Sequence, residues 1–201
     1  MFLCSPPPNE ERAALFTRAI AQDGYVGNLT RLWAWRPDVQ AAFEDLRKLL
    51  IDHAALSLRD RAVLVCAAAA TLNDSHCALA WGQRLASETD AATAAAVLQG
   101  KEAAGLNARE NALANWARQV VRAPNATRAE EVEQLRVVGL TDEDIFNATV
   151  FIAFRMAFST VNDALGARPD HALAAAVPAM VRDAVTYGRT VADPGPRHAA
   201  T

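Results

Sequence analysis

Apolar residues recur at every third or fourth position along almost the whole chain, and almost no segment shows the alternation of a β-strand. Between positions 37 and 53 this spacing predicts a helix with one buried face. Its apolar residues are Val39, Ala42, Phe43, Leu46, Leu49 and Leu50. The longest continuous pattern runs from Ile145 to Leu165. The sequence therefore predicts an all-α protein.

Capping residues indicate where the helices begin and end. Asn9 precedes two acidic residues, as expected for a helix start, and Gly24 predicts the end of that helix. Further start signals are Ser57 with Asp60, Asp74, Thr89, Asn107 with Glu110, Thr127 with Glu130, and Thr141 with Asp144. A last helix is expected over Ala172–Tyr187, with Pro178 kinking it or starting its second half.

These elements are interpreted as one helical domain. Residues 1–8 form an N-terminal extension with three prolines, residues 9–190 a bundle of about eight helices, and residues 191–201 a flexible C-terminal tail. No linker composition interrupts the range 9–190. Alanine-rich runs at 67–70, 91–96 and 172–176 allow close approach of helices, and they favour a homo-oligomer.

Composition and charge narrow the class of partner. With 52% hydrophobic and 21% charged residues the 201-residue chain is globular, and a net charge of -3 supplies no basic field for nucleic acid or anionic lipid. The segment 127–150 superficially suggests a helix-turn-helix, but Asp142, Glu143 and Asp144 at its second helix would repel phosphates. Small molecules or protein partners fit better, with neither nucleic acid nor a membrane expected.

The cysteines point to a reducing compartment. Cys4, Cys66 and Cys77 are odd in number and widely spaced, so they predict neither a disulfide framework nor a zinc site. We find no signal-peptide pattern at the start, and we expect a cytoplasmic protein. Nothing in the sequence indicates a metal or an organic cofactor. Cys66 lies among alanines and valines and is expected in the core.

The segment 72–85, LNDSHCALAWGQRL, carries the candidate chemistry. Cys77 lies in the first turn of a predicted helix, where the dipole favours a thiolate, while Asp74 would cap the helix and oppose the thiolate. His76 could shuttle protons, and Trp81, one helical turn after Cys77, would wall a pocket. The alternatives are that Cys77 is a packed core residue and that His76 is a surface or capping histidine.

Three blocks of the chain carry a resemblance to a known family. They are GYVGNLTRLWAWRPDVQAAFEDLRKLL, LSLRDRAVLVCAAAATLNDSHCALAWGQRLA and LRVVGLTDEDIFNATVFIAFRMAFSTVNDALGA. Together they span about three quarters of the chain, and they resemble the carboxymuconolactone decarboxylase and alkylhydroperoxidase D superfamily, most closely its peroxidase-related branch. The resemblance implies an all-helical fold that assembles into dimers, trimers or hexamers.

The redox motif of that superfamily is only partly present here. The family uses two cysteines three residues apart, a histidine four residues after the second and a glutamate about fifteen before it, often with a histidine or tyrosine just before the second cysteine. Cys77 matches the second cysteine and His76 the residue before it. Asp74 replaces the first cysteine, Trp81 the histidine and Ala62 the glutamate. Without a thiol at position 74, the two-cysteine disulfide cycle is unavailable.

Two functions of different classes follow from the resemblance. One is an antioxidant oxidoreductase of the alkylhydroperoxidase type that works through Cys77 alone, with His76 assisting and an external thiol resolving the sulfenic acid. The other is a catalytically degenerate helical scaffold or small-ligand-binding protein with a pocket lined by Trp81 and Cys77. Decarboxylase or lyase activity on a small lactone acid is a third alternative. Asn162 and Asp163 match a family stretch and are interpreted as helix-terminating residues before Gly166.

Overall fold

The structure, a computed structural model, describes residues 1–52 and 56–194. Within these ranges all regular secondary structure is helical, which confirms the predicted all-α fold. The helices are α1 (Glu10–Asp23), α2 (Asn28–Trp33), α3 (Pro37–Asp52), α4 (Leu58–Leu72), α5 (Ser75–Glu88), α6 (Ala91–Leu98), α7 (Ala108–Arg122), α8 (Ala129–Val137), α9 (Asp142–Ala164), α10 (His171–Ala176) and α11 (Ala179–Ala184). A short 3-10 turn, Pro124–Ala126, follows α7. These ranges hold eleven α-helices rather than about eight because several are short, with six residues each in α2, α10 and α11.

Most helices begin where the capping residues predict. The Ser57 hydroxyl accepts from the Asp60 backbone N–H at 3.0 Å while the Asp60 carboxylate accepts from the Ser57 N–H at 3.1 Å. The same reciprocal pair caps α7 through Asn107 and Glu110 and α9 through Thr141 and Asp144. Two starts differ by one residue from the prediction, since Asp90 caps α6 and Arg128 precedes α8. These caps are local contacts, which explains why the sequence reveals them.

Helix α4 is the centre of the bundle. It packs against α5, α6, α7 and α9, and it is buried without a break from Ala62 to Ala69. A helix surrounded on all sides loses its polar face, and alanine side chains let the neighbours approach closely. The alanine-rich run at 67–70 therefore packs in the core of this chain. Cys66 lies within it, as predicted, and burial raises the pKa of its thiol.

The predicted buried face of α3 is only partly buried. None of the residues of α3 is fully buried, and Leu49 is 57% exposed. The helix lies at the periphery, where it touches α1, α2 and α9. Its apolar residues Phe43 and Leu50 reach α9 and leave a cleft between the two helices. Periodicity shows that a helix has an apolar face but not that another element covers it.

The C-terminal segment reaches the start of α5. Pro178 begins the second half of the last helical stretch, one of the two predicted outcomes. Helix α11 packs on α5 and α6, and the segment after it crosses the N-terminus of α5, where the Ser75 hydroxyl donates to the Arg189 carbonyl oxygen at 2.7 Å. Of the predicted tail, the Ala192 N–H donates to the Pro169 carbonyl oxygen, and positions 195–201 lie outside the described residues.

The long helix α9 has the length and composition of a membrane-spanning helix, a property that core helices of soluble proteins share. It is the only such helix in the part of the chain that the structure describes. Four acidic or basic residues interrupt its start and its middle, and its residues Phe151 and Ile152 lie in the core against α4 and α7. In this structure α9 therefore acts as a core helix.

Candidate functional site

Cys77 lies in the first turn of α5, at the position that the sequence predicts. The Asp74 carboxylate caps this helix by accepting from the Cys77 backbone N–H at 2.9 Å. Both residues are buried, with 2% of Cys77 and none of Asp74 exposed to solvent. The cap is thus the predicted one, but the thiol is enclosed rather than open.

Two residues of α9 contact the Cys77 sulfur. The Arg155 Nη2 lies 2.9 Å from Sγ, and the Ser159 hydroxyl lies 3.9 Å from it. Positions four apart share one face of a helix, so α9 presents both groups to the start of α5. We define the Cys77 site as Asp74, Cys77, Arg155 and Ser159.

The environment of Cys77 holds its thiol in the protonated form. Burial raises the pKa of Cys77 to about 12, Arg155 opposes this increase, and Asp74 adds to it. From the sequence, the helix dipole is expected to lower the pKa of the Cys77 thiol and Asp74 to raise it. In the folded chain desolvation outweighs the favourable charges, because the thiolate would have to exist without water.

His76 is half-buried beside the site. Burial lowers the pKa of its imidazole, and Asp74 opposes this shift in part, so the ring is neutral at neutral pH. Its buried Nδ1 has no partner among the described protein atoms. In the described part of the chain no hydrogen bond joins His76 to the Cys77 sulfur, so the structure places the two side by side without forming a relay.

The substituted family positions lie around the same centre. Ala62 is fully buried in the core cluster that contains Cys77. Trp81 is half-buried, and the guanidinium carbon atoms of Arg84 and Arg155 lie 4.8 and 5.7 Å from the centroid of its ring. Trp81 therefore reaches the Cys77 site through Arg155. Neither alanine nor tryptophan can accept or give a proton in the way that glutamate and histidine do.

Several buried polar atoms at this centre have no partner in the described part of the chain. They include Asp74 Oδ2, His76 Nδ1 and Arg155 Nε. A buried polar group without a partner costs about 1–3 kcal/mol, so such atoms are rare in stable interiors. Their clustering around Cys77 makes this centre the candidate functional site.

Sequence reasoning missed Arg155, the residue that contacts the thiol. Arg155 is the only basic residue between positions 145 and 165, and a lone basic residue in an apolar helix is the signal that could have revealed it. Asn162 and Asp163 lie in the last turn of α9, where their backbone carbonyl oxygens accept from the N–H groups of Ala167 and Gly166, and Gly166 has a left-handed φ of 77°. Asn162 has a further role, because it is buried and accepts from the Trp33 indole N–H at 2.8 Å. Burial and the charge of Asp74 raise the pKa of Asp163 to about 6.

Comparison with solved structures identifies the fold. An uncharacterized peroxidase-related protein from Ralstonia eutropha JMP134, described as an alkylhydroperoxidase AhpD core, superposes with a TM-score of 0.76 at 24% identity. The match covers 86% of this chain and 93% of that one. This chain has the alkylhydroperoxidase D-core fold.

A second solved structure gives a similar match. An uncharacterized peroxidase-related protein from Silicibacter sp. TM1040 matches with a TM-score of 0.74 at 22% identity, over 85% of this chain and 92% of that one. Comparison with models of protein families gives no match, and neither does comparison with curated proteins. The fold that the sequence resemblance implied is therefore confirmed, while the chemistry must be argued from this chain's own residues.

Proposed function

We propose that this protein is a catalytically degenerate relative of the alkylhydroperoxidases, a helical small-ligand-binding protein that does not reduce hydroperoxides through Cys77. One observation carries the proposal: the Cys77 thiol is 2% exposed and burial raises its pKa to about 12. A peroxidatic cysteine must present a thiolate to its substrate. At this site the thiolate is disfavoured and the sulfur is enclosed.

The missing partners support the same conclusion. Thiol attack on a hydroperoxide forms an S–O bond and breaks the O–O bond, so the departing alkoxide needs a proton and the sulfenic acid needs a second thiol. Asp74 supplies no thiol, and Ala62 and Trp81 supply no proton. General acid–base assistance is worth roughly a hundredfold to ten-thousandfold in rate, so its loss is severe.

The test is hydroperoxide consumption with dithiothreitol as reductant, using hydrogen peroxide and tert-butyl hydroperoxide. We expect the parent protein and Cys77→Ser to match each other and the reductant alone. The matched control is Cys66→Ser, which removes the other buried thiol of the described core. Consumption by the parent that Cys77→Ser abolishes would overturn the proposal.

A single-thiol peroxidase is the second candidate, and one contact favours it. The Arg155 Nη2 lies 2.9 Å from the Cys77 sulfur, where a cation stabilises a thiolate. In this function an external thiol would resolve the sulfenic acid. The candidate predicts peroxide consumption that both Cys77→Ser and Arg155→Met abolish, an outcome that the same assay detects.

A further inference from the structure

Two arginines lie beside Trp81 near the Cys77 site. The guanidinium groups of Arg155 and Arg84 both lie within 6 Å of the Trp81 ring centroid. Neither of them forms an ion pair within residues 1–52 and 56–194. Burial lowers the pKa of Arg84, and the charges of Arg155 and Arg47 lower it further, as expected for like charges held near each other.

The one carboxylate in the neighbouring cleft is already bound. Glu44 accepts from Arg47 Nη2 at 2.6 Å and from Arg47 Nε at 2.8 Å. This pair is neutral as a whole, so Glu44 offers Arg155 no ion pair.

Arg155 also lines the cleft between α3 and α9. The other lining residues are mainly aromatic or aliphatic: Phe43, Leu50, Phe151, Phe154 and Phe158. The Arg155 guanidinium carbon lies 5.0 Å from the centroid of the Phe158 ring. The cavity is small, about 40 Å³, which excludes a nucleotide or a large cofactor. A small cavity with the Arg155 cation beside apolar side chains matches a ligand with one negative group and a short apolar body.

The guanidinium of Arg155 has donors left for such a ligand. Its Nη2 contacts the Cys77 sulfur, whereas its Nε is buried without a protein partner in the described residues. A guanidinium offers five N–H donors in a planar fork that fits the two oxygens of a carboxylate. An inorganic anion would lose its hydration against the phenylalanines without any apolar contact in return.

We propose that the α3–α9 cleft binds short-chain organic carboxylates, with the carboxylate accepting from Arg155 and the alkyl chain against the phenylalanines. This inference rests on the proposed ligand-binding function and names its ligand class. The small cleft limits the length of the ligand's alkyl chain, and Arg155 favours a ligand with a negative charge.

Isothermal titration calorimetry with three probes tests the ligand chemistry. Butyrate and butyramide have the same size and differ in charge, and inorganic phosphate has charge without an apolar body. We expect saturable binding of butyrate and at least tenfold weaker binding of the other two. Equal affinity for butyrate and butyramide, tighter binding of phosphate, or no binding of butyrate would each overturn the inference.

Two substitutions test the location. Arg155→Met should weaken butyrate binding at least tenfold, whereas Arg118→Met, which removes a half-buried arginine of α7 on another face, should leave it unchanged. Phe154→Ala should weaken butyrate more than acetate, because the shorter acid lacks the chain that contacts the ring. Circular dichroism confirms that each variant is folded. Unchanged butyrate binding in both Arg155→Met and Phe154→Ala would refute the site.

Butyrate binding and peroxide consumption, both measured on the parent protein, separate this inference from the proposed function. Binding with Cys77-dependent peroxide consumption would overturn the proposed function and leave the cleft assignment standing. If the protein neither binds butyrate nor consumes peroxide, the cleft assignment alone is overturned.

Discussion

The enclosure of Cys77 predicts a very slow reaction of its thiol with alkylating reagents. At pH 7 a thiol with a pKa of about 12 is ionised to about one part in 10⁵, compared with about one part in 10² at the ordinary value of 9.0. Since the thiolate is the reacting species, Cys77 in the folded protein should react with iodoacetamide about a thousandfold more slowly than Cys77 in urea. Restricted access to the buried sulfur would slow it further.

Asp74→Asn isolates the effect of the Asp74 charge on the pKa of Cys77. Asparagine caps a helix as well as aspartate does, so the acceptor for the Cys77 backbone N–H at 2.9 Å is retained while the negative charge is removed. The carboxylate raises the pKa of Cys77, so its loss should lower that pKa. A Cys77 pKa lower by about 1 would speed alkylation about tenfold and correspond to about 1.4 kcal/mol. Burial remains, so Cys77 should still react far more slowly than in urea.

Mass spectrometry of each cysteine-containing peptide during alkylation, repeated between pH 6 and pH 10, measures these rates. Asp74→Ala is the control for the cap, because it removes the charge and the acceptor together and should cost about 1 kcal/mol of stability. Thermal melts identify any rate increase that comes from unfolding. Native Cys77 reacting within tenfold of its rate in urea, or slower alkylation in Asp74→Asn, would refute the reasoning.

Three further predictions concern the rest of the molecule. The pKa of Asp163 is about 6 in the folded chain, above its ordinary value of 3.8, so its contribution to stability is present below about pH 4 and is lost as the pH rises through about 6. Asp163→Asn should therefore flatten the change in urea-unfolding free energy between pH 4 and pH 7.5, by on the order of 1 kcal/mol given the partial exposure of this side chain. Gly82→Ala should lower stability by about 1–3 kcal/mol, because its Cβ would lie 2.6 Å from Val181 Cγ1, and a double-mutant cycle with Val181→Ala should show that the two changes are coupled. Analytical ultracentrifugation at micromolar concentration should show a homo-oligomer, and a strict monomer would contradict the oligomer prediction.

The sequence alone determined the helical class, the main helix starts and the place of Cys77 behind an Asp74 cap. These features depend on contacts between residues three or four positions apart, such as Ser57 with Asp60, so they can be read from spacing and residue type. The substitutions at Ala62 and Trp81 were equally visible, because a motif is defined along the chain.

Only the tertiary structure decided the state of the thiol and the identity of its partner. Arg155 lies 78 positions after Cys77, and no local pattern joins them. The raised pKa of Cys77 follows from the helices that enclose it, while α3 shows the converse, an apolar face that its neighbours cover only in part. Periodicity determines which face of a helix is apolar, but burial, charge and dielectric at a site depend on which distant elements pack there.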